Sequence, residues 1–363
     1  MALITITKWI LLWMLLSVTM KPIQGQQQQV PCLFFLGDSQ FDNGNNNLLL
    51  TSAKANYPPY GIDYPDGATG RFSNGRNIAD FLAQLLGFAE PVPAFATARG
   101  SDIIKGVNYA SGAAVILEES GIQLGDRISL DRQLLNHRLT IARLSLLLSK
   151  QSSSVNDYLS KCLYAVNMGS NDYINNYLMP QFYPSSRLYT PDRFAEILIQ
   201  KFSGQLRTLY NTGVRKVAVF GIGLLGCLPQ ELGMYPTNGS PCVDFINNYV
   251  QLFNNRLKPL IDNLNSNLPN AQFIYINITS ISSGDPSVIG IRVGNAPCCV
   301  VSRRTGQCAP NQVPCSNRNE YAFWDNFHPT EILNLGTASR AYNATVPSDA
   351  YPVDIRRLVQ QQN

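Results

Sequence analysis

Only two histidines occur among the 363 residues of this chain, and one of them, His328, follows Asp325 by three positions in Trp324-Asp325-Asn326-Phe327-His328-Pro329. Residues three apart can face each other on one turn of chain. A carboxylate so placed can hold the imidazole's Nδ1 proton and leave Nε2 free to accept another. Far upstream, the apolar run Cys32-Leu33-Phe34-Phe35-Leu36 stops at Gly37-Asp38-Ser39-Gln40. A hydroxyl at a strand exit, an imidazole and a carboxylate are the parts of a serine nucleophile, its base and the group that orients the base. Ser39 is the candidate nucleophile, and its base is then His328 or His137. His137 lies in a leucine-rich helical pattern and reads most simply as a polar position of an amphipathic helix.

Blander readings stand beside these. Ser39 could be a helix N-cap after a strand, and Asp325 with His328 a structural pair. The strained elbow Gly-x-Ser-x-Gly is absent, because Phe41 occupies its last position. A metal site would need ligands beyond Asp325 and His328, and the only other histidine, His137, lies in a leucine-rich helical pattern. Acyl transfer also needs donors for an oxyanion. Asn171, in Gly169-Ser170-Asn171-Asp172, can offer a side-chain N–H, and Gly112, in Asn108-Tyr109-Ala110-Ser111-Gly112-Ala113, a backbone one; both also fit as turn residues. The run Asp42-Asn43-Gly44-Asn45-Asn46-Asn47 reads as a tight hydrogen-bonded turn, since it lacks the alternating carboxylates and final Glu of a calcium loop.

Four runs are continuously apolar rather than alternating: 32–36, 162–168, 215–222 and 272–278. Strands buried on both faces of a parallel sheet read this way. Between them, helical periodicity covers 75–87, 130–149, 191–212 and 243–265. The third opens with Thr190-Pro191 and closes at Gly213. The fourth contains Pro259, a possible kink. Strands alternating with helices predict a three-layer α/β/α sandwich with a mostly parallel central sheet, flavodoxin-like in its layering. Ligands bind such sheets outside the carboxyl ends of the strands. Three runs exit there into small or polar residues: Gly37-Asp38-Ser39, Gly169-Ser170-Asn171-Asp172 and Gly223-Leu224-Leu225-Gly226.

Residues 1–25 have the pattern of a signal peptide: Lys8, an apolar stretch from Trp9 to Met20, and small Gly25 after a break. The stretch falls short of the roughly 20 residues that span a bilayer. The remainder, 26–363, reads as a single domain without linker or repeat. Removing the two lysines of residues 1–25, Lys8 and Lys21, takes the formal charge from +4 to +2. No basic stripe marks a nucleic-acid partner. Eight cysteines without a Cys-x-x-Cys pair in an exported chain predict disulfides, with Cys298, Cys299, Cys308 and Cys315 stapling the segment before Asp325. Glycosylation sequons stand at Asn238, Asn277 and Asn343, the first followed closely by Pro241.

Five blocks in fixed order resemble the plant GDSL-type esterase/lipases of the SGNH hydrolase superfamily. They are Phe35 to Asn47, Thr69-Gly70-Arg71-Phe72-Ser73-Asn74-Gly75-Arg76, Gly106 to Ser111, Gly169 to Tyr173 and Phe323 to Thr330. The resemblance spans essentially the whole mature chain. It implies a secreted, apoplastic hydrolase of small or polymeric carboxylic esters, without cofactor; the residues read above add the expectation of no metal, no nucleic-acid partner and no stable membrane insertion. It implies further that Ser39 is the nucleophile, His328 the base, Asp325 the acid and Asn171 an oxyanion donor. Two departures stand out. Gln40 replaces the leucine of the family's name, and in Ser111-Gly112-Ala113-Ala114 the family glycine falls on Gly112 or Ala113. The same machinery could serve an acyltransferase, and the same fold a silent binding protein.

Overall fold

The computed structural model describes residues 27–149 and 154–361, so the expected signal peptide lies outside the described residues. The four predicted strands form as β1 (Leu33–Gly37), β2 (Leu163–Asn167), β3 (Lys216–Phe220) and β4 (Gln272–Ile276). They lie parallel and adjacent in that order. Three short strands lie outside the predicted set: β5 (Val293–Pro297) and β6 (Tyr321–Phe323) pair with each other, and β7 (Ala350–Tyr351) runs antiparallel along β4.

The apolar runs are continuous because each strand feeds two cores at once. Phe34, Leu36, Tyr164, Val166, Val217 and Val219 pack with the helices Leu130–Leu148, Pro191–Tyr210 and Asp244–Asn267. Leu33, Phe35, Leu163, Ala165, Ala218 and Phe220 face the other way, onto Ile78–Leu85, Glu331–Tyr342 and Ile355–Gln360. The sandwich therefore has the three layers expected. Local signals set the helix ends: Asn77 and Asp80 form a reciprocal capping box, and Thr190 caps Pro191–Tyr210. Pro259 lies inside the single helix Asp244–Asn267 and does not divide it.

Beyond β1, the chain from Val107 to Ser111 runs alongside the strand. Phe35 N–H donates to Val107 O, Tyr109 N–H to Phe35 O at 2.8 Å, and Ser111 N–H to Gly37 O at 3.0 Å. This contact carries the Gly112–Ala113 turn to the carboxyl end of the sheet. A third, smaller core joins Ala55, Tyr60 and Phe72 to Cys298, Cys299, Cys308 and the fully buried Trp324. The four clustered cysteines pair among themselves, Cys298 with Cys315 and Cys299 with Cys308, which staples the segment before Asp325 as expected. The others join Cys32 to Cys162, at the entries of β1 and β2, and Cys227 to Cys242.

Candidate active site

Gly37 ends β1 where a Cβ would stand 2.9 Å from Asn167 O, so glycine lets β1 and β2 close together as the chain leaves the sheet. Asp38 follows, 1% exposed, with Oδ1 accepting the Gln40 N–H at 3.0 Å. Its burial pushes the carboxyl up to about 6, against the pull of that bond and of His328. Its carbonyl accepts the N–H groups of Phe41 and Asp42. The turn beyond is as tightly bonded as predicted. Asp42 accepts from Gly44, Asn45 and Gly112; Asn45 donates to Asn108 O and Ala110 O; Asn46 donates to Ala53 O and Gly112 O. Ser39 is thus fixed between a strand end and a cross-linked turn.

His328 arrives from the far end of the chain. Its Nε2 lies 2.8 Å from Ser39 Oγ, and its Nδ1 lies 2.9 and 2.8 Å from Asp325 Oδ1 and Oδ2. Asp325 is wholly buried and also accepts the backbone N–H groups of Phe327 and His328, each at 2.8 Å. The block Thr69–Arg76 holds this loop. Arg71 makes a buried two-pronged ion pair with Asp80 at 2.7 and 2.8 Å, Phe72 packs 4.8 Å from the imidazole, and Ser73 and Asn74 bond Pro329 O and the Glu331 N–H. Breaking such a buried pair costs about 3–5 kcal/mol, so the block is a rigid buttress.

Asn171 stands at the carboxyl end of β2 and lines the same cleft. Its amide donates to Ala114 O at 3.0 Å and accepts from Asn175 at 2.8 Å; its second N–H has no partner among the described residues. Gly112 departs from expectation. Its N–H is spent on Asp42 Oδ2 at 2.9 Å, and glycine is needed there because a Cβ would lie 2.6 Å from the Phe72 ring. The free backbone donor in this turn is Ala113, which lines the cleft at a left-handed φ of 61° and whose N–H has no partner among the described residues. The Ser39 N–H is likewise unpartnered among them. The exit of β3 contributes Leu225 and Leu228 as an apolar wall with Ile174 and Phe327. All three predicted strand exits therefore meet at one cleft.

A hydroxyl within bonding distance of an imidazole, itself held by a buried carboxylate, can attack a carbonyl carbon. Three unpartnered N–H groups beside it can receive the resulting oxyanion. The family model for GDSL-like lipase/acylhydrolase matches residues 33–334. The chain belongs to that family. Among curated Arabidopsis thaliana proteins, it is 51% identical to GDSL esterase/lipase At1g29670 over 98% of this chain and 99% of the relative. It is 46% identical to GDSL esterase/lipase At5g45670, over 96% and 97%, and 47% identical to GDSL esterase/lipase At1g29660, over 97% and 98%. In this GDSL lipase/acylhydrolase, no helix among the described residues is long and apolar enough to cross a membrane.

Other expected residues fall elsewhere. His137 is enclosed by Phe34, Tyr109 and Tyr164, and no carboxylate bonds it among the described residues. Asn238 and Asn343 are exposed, whereas the half-buried Asn277 uses its side chain to cap the helix Ile278–Ser282. Tyr60, whose hydroxyl lies 2.5 Å from Asp325 Oδ2, carries no signal in Tyr57-Pro58-Pro59-Tyr60-Gly61 beyond that of a turn.

Proposed function

We propose that this carboxylic ester hydrolase is a secreted serine esterase or lipase that works through an acyl-enzyme on Ser39. Supporting this reading above all is the unbroken run of contacts from Asp325 through His328 to Ser39 Oγ. Ser39 Oγ attacks the ester carbonyl carbon while His328 Nε2 takes the hydroxyl proton. The oxyanion lies against the Ala113 and Ser39 N–H groups and the free N–H of Asn171. Collapse breaks the ester C–O bond, and His328 returns the proton to the departing alcohol. Water, deprotonated by the same nitrogen, then releases the acid and restores Ser39. Asp325 stays ionised throughout, holding the ring and stabilising the imidazolium.

Residues 26–363 act as one domain, exported to the cell exterior by residues 1–25. Four disulfides fit an oxidising compartment, and the exposed Asn238 and Asn343 are the sequons open to glycans. The cleft's apolar wall beside Gln40, Ser52 and Gln307 fits acylated lipids or acylated wall polymers, with no cofactor. Ser39→Ala should abolish hydrolysis of p-nitrophenyl acetate and labelling by a fluorophosphonate while leaving the melting temperature in place. Full turnover by that variant would sink the mechanism. Product analysis with an added alcohol separates hydrolysis from acyl transfer.

A further inference from the structure

Asp325 has no solvent around it, and three of its donors come from its own loop. The fourth does not. The Tyr60 hydroxyl donates to Oδ2 at 2.5 Å from 265 residues away. Tyr60 is itself 1% exposed, and its oxygen accepts the Cys308 N–H at 3.1 Å. That acceptance leaves the single phenolic proton for Asp325. Cys308 is fixed from both sides. Tyr57 donates to its carbonyl at 3.0 Å, and its sulfur is joined to Cys299, whose N–H donates to Trp324 O next to Asp325. Burial and the nearby carboxylate push the Tyr60 hydroxyl well above its ordinary range, so it remains a donor.

We propose that Tyr60 is a positioning residue for this site: its O–H, aimed by the Cys308 N–H, orients the Asp325 carboxylate toward His328 Nδ1 and tempers the basicity of the imidazole. This role presupposes the assignment of Ser39, His328 and Asp325 made above. A donor on Oδ2 draws negative charge away from the oxygens that face the ring. Without it, the imidazolium is held more strongly and His328 keeps its proton to higher pH. The other titratable groups about the pair are Asp38, which acts on His328, and Tyr57, which lies behind Tyr60; both stay when only the Tyr60 hydroxyl is removed.

Having two histidines makes the measurement direct. With 15N-histidine, His137 stays neutral through the working range because burial pushes it down to about 3. The other histidine signal is that of His328. In Tyr60→Phe, the His328 titration and the acid limb of kcat/KM for p-nitrophenyl acetate should both rise by about half to one unit. The kcat should fall about tenfold with KM held, the loss expected for one hydrogen bond to a charged group. Installing 3-fluorotyrosine at position 60 keeps the hydroxyl but makes it a stronger donor, and should move the titration the opposite way. A merely space-filling Tyr60 would change the melting temperature and leave both curves in place. A His328 titration matching wild type in both variants overturns the role, and if Tyr60→Phe does not fold, the sign of the fluorotyrosine shift decides. Asp325→Asn separates the two levels. If it retains full activity the underlying triad fails, whereas an inactive Asp325→Asn beside an unmoved Tyr60→Phe removes only Tyr60.

Discussion

The two histidines occupy almost equally buried places, His137 at 0% exposure and His328 at 7%, yet their surroundings give them opposite characters. His328 has a carboxylate on one nitrogen and a serine hydroxyl on the other. Among the described residues His137 has only the Tyr109 hydroxyl at 3.2 Å on Nδ1; its buried Nε2 has no partner among them, and three aromatic rings enclose it. Desolvation alone pushes His137 down to about 3. A buried imidazole is suited to act as a base where an anion shares its enclosure. The cost of placing that anion is offset by two backbone donors of its own loop and by the distant Tyr60 phenol, all aimed at a carboxylate cut off from water.

The sharpest way to break this contrast is to exchange the fates of the two residues. His328→Ala should lower kcat by about 10⁶-fold, as loss of a triad histidine does, with little change in melting temperature. An active His328→Ala would mean that the base lies elsewhere. Next in size is Asn171→Ala. Removing one oxyanion donor costs about 10²- to 10³-fold in kcat, with substrate KM nearly held. The Asn171→Ala loss should be seen at every pH, because an amide does not titrate. A fall in Asn171→Ala confined to KM would make Asn171 a substrate contact instead.

Much of this arrangement is legible in the order of residues alone. Period and apolar continuity locate all four parallel strands and the long helices, because burial on two faces and on one stripe leaves different patterns. Ser39, His328 and Asp325 are legible because histidine is scarce and the strand exits are unusual. What stays hidden depends on contacts between distant segments. Nothing local says that Tyr60 reaches Asp325, that Arg71 and Phe72 brace His328, or that Asp42 takes the N–H of Gly112 and leaves that of Ala113 free. The strands β5 to β7 escape notice for another reason. The longest has five residues, and Val293-Gly294-Asn295-Ala296-Pro297 mixes a turn-former and a proline into its pattern.

The mildest test concerns His137 and reads stability rather than rate. His137→Leu places an apolar side chain of similar bulk in the cage and deletes both the orphaned Nε2 and the Nδ1 contact to Tyr109, which retains Thr140 as a partner. Activity toward p-nitrophenyl acetate should stay at the wild-type level. Acid stability should not. In the unfolded chain a histidine takes up a proton below its ordinary 6.5, whereas in the fold His137 refuses it until about 3. Its contribution is therefore present above 6.5 and is lost as the pH falls toward 3. Buried Asp38 and Asp42, pushed up to about 6, and Asp172 and Glu231, pushed up to about 7, act in the opposite sense, their contributions lost as pH rises through those values. Those four carboxyls are common to both proteins and cancel in the comparison. The melting temperature of His137→Leu should thus drop less than that of wild type across that window. Parallel curves would mean that the aromatic cage already admits a proton, and that burial separates the two imidazoles less than their partners do.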